Sequence, residues 1–357
     1  MREASVPHPV QTASPVSVIV PTYNRRARLE RLLRALEGEY AAGPRFEVVV
    51  VVDGATDGTE AMLAALRPSY PLQVLRQPNR GPAAARNHGV AAAAGEVLVF
   101  LDDDVWPAPG LIARHLAVHE HDPAAITIGP MLAPPGRRLA PWLAWEAAAL
   151  QKQYDAMQAG RFAPTPRQFY TANASVRRAH VLAAGGFNET FTRAEDVELA
   201  FRLADRGLRF YFLPEAAVLH EPDRTLAAWL RVPYEYGRHD VRMAWECGRA
   251  HLLPLAVREL RQRHPLNRLL PRWCAGRRRL ARFVAAAMAT AVRAGPRTAP
   301  SRWQLALCSA LFNLQYWRGV ADAAGLGSSL WAQLERQRDG FGMLGAAPQI
   351  GRTADVG

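Results

Sequence analysis

The chain has 357 residues, enough for one large domain or one of about 230 residues with an appendage, and its 49% hydrophobic content excludes wholesale disorder. Three cysteines, Cys247, Cys274 and Cys308, are too few for a disulfide framework and lack metal-ligand spacing. The net charge is +12, and fifteen Arg against three acids between Gly237 and Trp303 account for all of it.

Residues 1–15 read as a polar, Pro-containing lead-in with no apolar core behind a basic start, so no secretory signal is expected there. Residues 16–20, VSVIV, form a β-branched run ended by Pro21 and read as a buried strand. Leu29, Leu32, Leu33 and Leu36 then recur at helical spacing over 25–36. Residues 46–52 predict a second strand, 59–66 a helix, 72–75 a third strand, 82–94 an Ala-rich helix and 97–101 a fourth strand running into Asp102, Asp103 and Asp104. Strand–helix alternation with apolar strands predicts an α/β fold with a mainly parallel central sheet, helices on both faces. Beyond 105 the pattern is mixed. A helix is expected over 111–119 and a strand over 125–128. Pro-rich loops carrying Trp142 and Trp145 follow, then a strand over 169–176, helices over 179–184 and 196–206, and closing strands over 210–213 and 217–219. Past His239 the chain reads as helical, basic and Pro-punctuated, with a tail from 336.

In such sheets ligands sit outside the carboxyl ends of the strands. Polar clusters fall at three of those ends: 22–24, 53–57 and 102–104. One Asp-Gly or Asn-rich turn has a local explanation; three in register point to one crevice. If the strand geometry continues, alternation puts the carboxylates of Asp102 and Asp104 on one side. Hard Mg²⁺ or Mn²⁺ prefers such oxygens and takes its remaining ligands from phosphates and water. Glu195 and Asp196 open a helix, where acids are favoured by the macrodipole, and a carboxylate there can also serve as a general base.

The motifs VSVIVPTYNR (16–25), FEVVVVVDGATDGT (46–59), NRGPAAARNHG (79–89), VLVFLDDDVWP (97–107), TANASVRR (171–178), GGFNETF (185–191), EDVELAFRLADRG (195–207) and VLH (218–220) occur in this order. Together they resemble the family 2 glycosyltransferases with the nucleotide-diphospho-sugar transferase (GT-A) fold, over residues 16–222. The resemblance implies a catalytic domain over 16–225 and sugar transfer from a nucleotide-diphosphate-sugar to an acceptor hydroxyl, with inversion. It implies that Asp104 ligates Mn²⁺ or Mg²⁺, aided by Asp102 and His220, and that Asp102 or Asp103 contacts ribose or donor sugar. Asp196 matches the family's base, with Glu195 as its orienting neighbour. Asp53 would accept from the nucleobase, leaning the donor toward a UDP-sugar, although Val52 stands where the family commonly has a second acid. Pro21, Thr22 and Tyr23 fall where base or ribose would be touched, and Arg86 where phosphate or base would be met. Trp106 and Asn173 are expected on the acceptor side; the acceptor itself is not legible.

The region 226–335 carries no such resemblance. Leu280, Phe283, Val284, Ala287, Met288, Ala291 and Val292 predict one apolar helical stripe ringed by arginines. It reads first as a helix packed on the catalytic domain, and second as an interfacial helix on anionic lipid. A basic surface favours a polyanion. The expected partners are a phosphate-bearing acceptor or a membrane contacted peripherally through the arginines, rather than nucleic acid, and the expected setting is cytoplasmic, at the inner membrane face. No apolar run reaches the roughly 18 residues that span a bilayer. A Gly-rich phosphate loop and the G-x-G-x-x-G of dinucleotide enzymes are absent after the first strand, so neither nucleotidyl transfer nor hydride transfer is expected. The remaining alternative is a non-catalytic basic scaffold that binds lipid or nucleic acid on a degenerate transferase fold.

Overall fold

The computed structural model describes residues 15–274, 276–296, 300–325 and 331; the expected lead-in before residue 15 and the tail from 336 lie outside them. The first part alternates: β1 (Val16–Thr22), α1 (Arg26–Ala42), β2 (Phe46–Asp53), α2 (Thr59–Ala65), β3 (Leu72–Gln77), α3 (Pro82–Ala92) and β4 (Val97–Leu101). Next come β5 (Val105–Pro107), α4 (Leu111–His121), β6 (Ala125–Ile128), β7 (Met131–Leu132), α5 (Pro141–Gln158), a 3-10 turn over Pro166–Gln168, β8 (Asn173–Arg177), α6 (Arg178–Ala183), α7 (Glu195–Asp205), β9 (Arg209–Phe212) and β10 (Val218–His220). The remaining described elements are helices: α8 (Leu226–Glu246), α9 (Leu252–Arg261), α10 (Pro265–Cys274), α11 (Arg278–Ala294) and α12 (Arg302–Ala324).

The main sheet has the order β3-β2-β1-β4-β8-β6-β9. β3, β2, β1 and β4 are parallel, β8 runs antiparallel to both β4 and β6, and β9 is parallel to β6. The pleat sorts the apolar runs onto two faces. Val18, Val48 and Val50 pack with Leu29, Leu32 and Leu36 of α1. Ile19, Val49 and Val51 pack with Ala83 and Ala85 of α3 and with Leu199 and Leu203 of α7. Both faces are thus covered, which explains why these strands read as unbroken hydrophobic runs. A smaller sheet, β5-β10-β7, closes over the carboxyl end of the main one.

Two sequence expectations change here. Residues 141–158 are an 18-residue helix rather than Pro-rich loop. Pro141 occupies its first turn, where the missing N–H costs nothing, so it starts the helix. The strand expected from 169 begins at Asn173; Phe169 is buried but lies in the turn before it.

The C-terminal helices build their own core against α5. Trp145, Trp229, Leu311 and Leu314 share one cluster, with Trp145 edge-on to Trp229 at 5.6 Å. α8 and α12 cross at van der Waals contact of their backbones: a Cβ on Gly237 would lie 2.1 Å from the Tyr316 carbonyl oxygen, and one on Gly319 1.9 Å from that of Tyr234. α11 corrects the expected stripe. It buries Ala281, Ala285, Ala289 and Val292 and leaves Leu280 and Phe283 exposed. The small alanine ridge lets it approach closely, so the larger side chains beside that ridge turn outward.

Candidate active site

β1, β2 and β4 are parallel, so their carboxyl ends, Thr22, Asp53 and Leu101, share one edge of the sheet. A cavity of about 960 Å³ opens there. Pro21, Thr22, Tyr23, Asp53, Arg86, Asp102, Asp103, Asp104, Glu195, Asp196 and His220 all line it, drawn together from six separate stretches of chain.

Trp106 and Asn173 do not line it, contrary to the acceptor-side expectation. Asn173 is fully buried in the sheet, where its amide donates to the Ala216 carbonyl at 2.7 Å and its Oδ1 meets His115 Nε2 at 3.0 Å. A buried amide with those partners ties β8 to the chain before β10. Trp106 lies under the Arg31 guanidinium, 3.7 Å from the ring centroid.

The three consecutive acids do not alternate as a strand would. β4 ends at Leu101, and the chain turns through 102–104 before β5. Asp102 and Asp104 therefore do not share a side. Asp102 reaches Arg86 Nη2 at 2.8 Å. Asp103 accepts from Thr22 Oγ1 at 2.8 Å and from Arg25 at 3.1 Å. Asp104 is paired with Arg25, lies 3.7 Å from Arg28, and faces His220 Nε2 across 3.6 Å. Three adjacent carboxylates on one side would repel; Arg86 on Asp102, and Arg25 shared between Asp103 and Asp104, offset that cost. Burial, only partly offset by Arg25, pushes the Asp103 carboxyl up to about 7. Burial acts the same way on Asp104, but His220 and Arg25 outweigh it and hold that carboxyl well below the usual range.

Opposite the acids, α7 begins at Glu195 after Ala194, a non-glycine residue held at φ 57°. That left-handed backbone is strained by about 1 kcal/mol or more, and such strain persists where the surroundings dictate it. It fixes the start of the helix at the cavity wall. Arg86, buried in α3, bridges the two sides: Nη1 donates to Glu195 Oε1 at 2.7 Å while Nη2 holds Asp102. Among the described residues Asp196 has no such cation in contact. Its Oδ1 accepts from the Val197 N–H at 2.8 Å, and burial, reinforced by the Glu195 carboxylate, raises its pKa to about 7.

The Asp53 carboxylate is largely engaged. Oδ1 accepts from Gln77 Nε2 and the Arg80 N–H, both at 2.8 Å, and Oδ2 from the Gly81 N–H at 2.9 Å. It pins the loop that leads into α3, leaving little acceptor capacity for a nucleobase.

Several lining residues escaped sequence reading. Arg25 stands inside the first quoted motif, and its pairing with Asp103 and Asp104 could be suspected from three neighbouring acids needing a cation. Tyr170, Gln153 and Tyr236 line the half beyond Asp196 and come from the 3-10 turn's exit, α5 and α8. Burial, helped by the Asp196 carboxylate, pushes the Tyr236 phenol up. Arg167, Asp240 and Tyr316 close that half: Arg167 donates to Asp240 at 3.0 Å, and Tyr316 Oη donates to the same carboxylate at 2.6 Å. No local pattern announces them, because α8 and α12 reach the cavity only through tertiary packing.

Residues 17–184 match the family profile described as Glycosyl transferase family 2. The pre-mycofactocin glycosyltransferase of Mycobacterium tuberculosis is 31% identical over 245 residues, covering 66% of this chain and 49% of that protein. The chain spans about half the length of the curated relatives it matches. Among solved structures, S. aureus TarS 1–349 in complex with UDP-GlcNAc aligns with a TM-score of 0.53 at 20% identity, over 89% of this chain and 91% of that one. The mannosyltransferase PcManGT from Pyrobaculum calidifontis, in complex with GDP-Man and Mn²⁺, aligns at 0.51 and 21% identity, over 94% and 82%. At that identity the likeness concerns the fold, and the fold is GT-A. Profile, relatives and fold agree on the matched part: residues 17–184 form a family 2 glycosyltransferase domain.

Proposed function

We propose that the protein transfers a sugar from a nucleotide-diphosphate-sugar to an acceptor hydroxyl with inversion, the donor lying over Asp102–Asp104 and the acceptor beyond Asp196. The observation that carries this reading is the cavity itself. Its donor half is acidic and arginine-lined, its other half is walled by α5 and α8, and the buried Asp196 carboxyl, raised to about 7, stands between them. A cavity of about 960 Å³ lies at the top of the range of about 300–1,000 Å³ that one small ligand takes, leaving room for two. The two solved proteins of similar fold carry nucleotide-diphospho-sugars, which supports the donor class.

In this reading the Asp196 carboxylate takes the acceptor proton as its oxygen bonds to the anomeric carbon, and the bond from that carbon to the diphosphate breaks. Attack opposite the leaving group inverts the centre. Glu195, held by Arg86, keeps the start of α7 in place. Asp103, fixed by Thr22, is assigned to ribose or donor sugar. A divalent cation, Mn²⁺ or Mg²⁺, belongs to this reading. Among the described residues no three His, Cys, Asp or Glu gather as a closed metal site. Asp104 and His220, a carboxylate and an imidazole facing across 3.6 Å, do suit an ion that draws its other ligands from phosphates and water. When bound, it would neutralise charge on the departing diphosphate. The arginine excess supports placing this activity at the inner face of a membrane.

Nucleotide release from a panel of sugar nucleotides, with Mn²⁺ or Mg²⁺ and then with excess chelator, tests the proposal. One donor should turn over, and Asp104→Ala or the chelator should abolish release while the circular dichroism stays unchanged. Full activity in chelator removes the metal; no release from any donor leaves a scaffold on a transferase fold.

A further inference from the structure

Six of the twelve arginines between Leu260 and Ala321, and the two most exposed large apolar side chains of that segment, fall on the same two helices, α10 and α11. From Leu260 to Ala321 the sequence has twelve Arg and no Asp or Glu. α10 and α11 both pack on α12 and are separated by three residues, 275–277. α10 turns Asn267, Pro271 and Cys274 inward and leaves Leu266, Leu269 and Trp273 outside, at the i, i+3, i+7 spacing of one stripe. α11 turns its alanine ridge inward and leaves Leu280 and Phe283 outside, at i, i+3. Trp273 is 70% exposed and Phe283 72%. Exposed large apolar side chains are ordinary when scattered singly; gathered on adjoining helices they mark a docking surface.

We propose that this outward face of α10 and α11 rests on an anionic lipid bilayer, Trp273, Leu280 and Phe283 entering the acyl boundary while Arg277, Arg279 and Arg282 meet lipid phosphates. Charge decides the occupant. A second copy seated on the same face would set arginine against arginine with no acid in the segment to offset it. A bilayer of anionic headgroups over hydrocarbon satisfies both features at once: guanidinium pairs with phosphate as a planar fork, and aromatic rings sit at the headgroup level. Among the described residues no helix is long and apolar enough to cross a membrane, so the contact is peripheral. The inference names the surface for the membrane setting proposed above and is independent of the sugar-transfer chemistry.

Flotation of the full chain with phosphatidylcholine vesicles, with and without phosphatidylglycerol, tests it. Binding should require the anionic lipid and weaken in high salt. Each guanidinium near such a surface is worth about fivefold, so Arg277→Gln/Arg279→Gln/Arg282→Gln should lower the partition about a hundredfold. Trp273→Ala/Phe283→Ala leaves the charge unchanged and should still lower it by about tenfold or more. These side chains are all exposed, and circular dichroism verifies that both variants fold. A photoreactive amino acid at position 283 reads the occupant directly, with a lipid adduct expected. Indifference to lipid charge, no binding, wild-type binding by either variant, or adducts to a second copy or to residues 332–357 would overturn the assignment.

Discussion

Asp196 keeps its proton to about pH 7 because it is buried beside Glu195 and Arg86 is spent on Glu195 and Asp102. As the base it must be ionised, so turnover should climb about tenfold per unit up to pH 7 and level off above it. A profile flat from pH 5 to 8 would remove it from that role. Asp196→Asn keeps the shape without the base: kcat should fall by about 10²- to 10⁴-fold, while donor affinity by calorimetry stays the same. Stability should move the other way. A carboxyl whose folded pKa exceeds its unfolded value favours folding below about pH 4, and that advantage is lost as pH rises through 7. The Asn variant should therefore melt above the parent at pH 8, the gap closing toward pH 4. Much of this was legible in the sequence: the Asp triplet and the Glu-Asp pair announce themselves beside a strand end and a helix start. Their orientations were not. Strand alternation gave the wrong partner for Asp102, because where β4 stops is decided by the turn into β5. Asn173, polar and inside a motif, proved to be a tie within the sheet.

Among the elements, β1 to β4 were readable because helices cover both sheet faces and leave an uninterrupted apolar run. α5 was hidden by reading the Pro-rich stretch that carries Trp142 and Trp145 as loop, when Pro141 is a first-turn residue. β5 and β7, three and two residues long, carry too little periodicity to detect. The α8–α12 crossing was invisible, since nothing in an isolated glycine names the backbone that will lie against it. It makes a sharp contrast. Gly319→Ala puts a methyl into the Tyr234 carbonyl and should cost about 1–3 kcal/mol or more in chemical denaturation. Gly38→Ala, in α1 with nothing within 4 Å, should stabilise by about 0.5–1 kcal/mol. Equal midpoints for the two variants would mean that the helices are not held at that separation.

At the scale of the whole molecule, the catalytic sheet and the C-terminal helices are joined by the Trp145–Trp229 core and by Asp240, which receives Arg167 from one side and Tyr316 from the other. We propose that residues 16–225 and the helices that follow are one cooperative unit. Calorimetry should give a single unfolding transition, and Asp240→Ala, which strands Arg167, should lower it as a whole by roughly 2–4 kcal/mol. Two separated transitions would make the helices an independent domain.

α5 has one more consequence. Lys152 is the only lysine in the chain, and it stands exposed on that helix between Leu150 and Gln153, both of which face the cavity. With forty-three arginines carrying the rest of the basic charge, amine-directed chemistry finds a single side chain in the whole molecule. A dye attached there sits on the helix that supplies Leu150 and Gln153 to the cavity wall, so ligands that shift that helix can be screened by fluorescence before any donor is known.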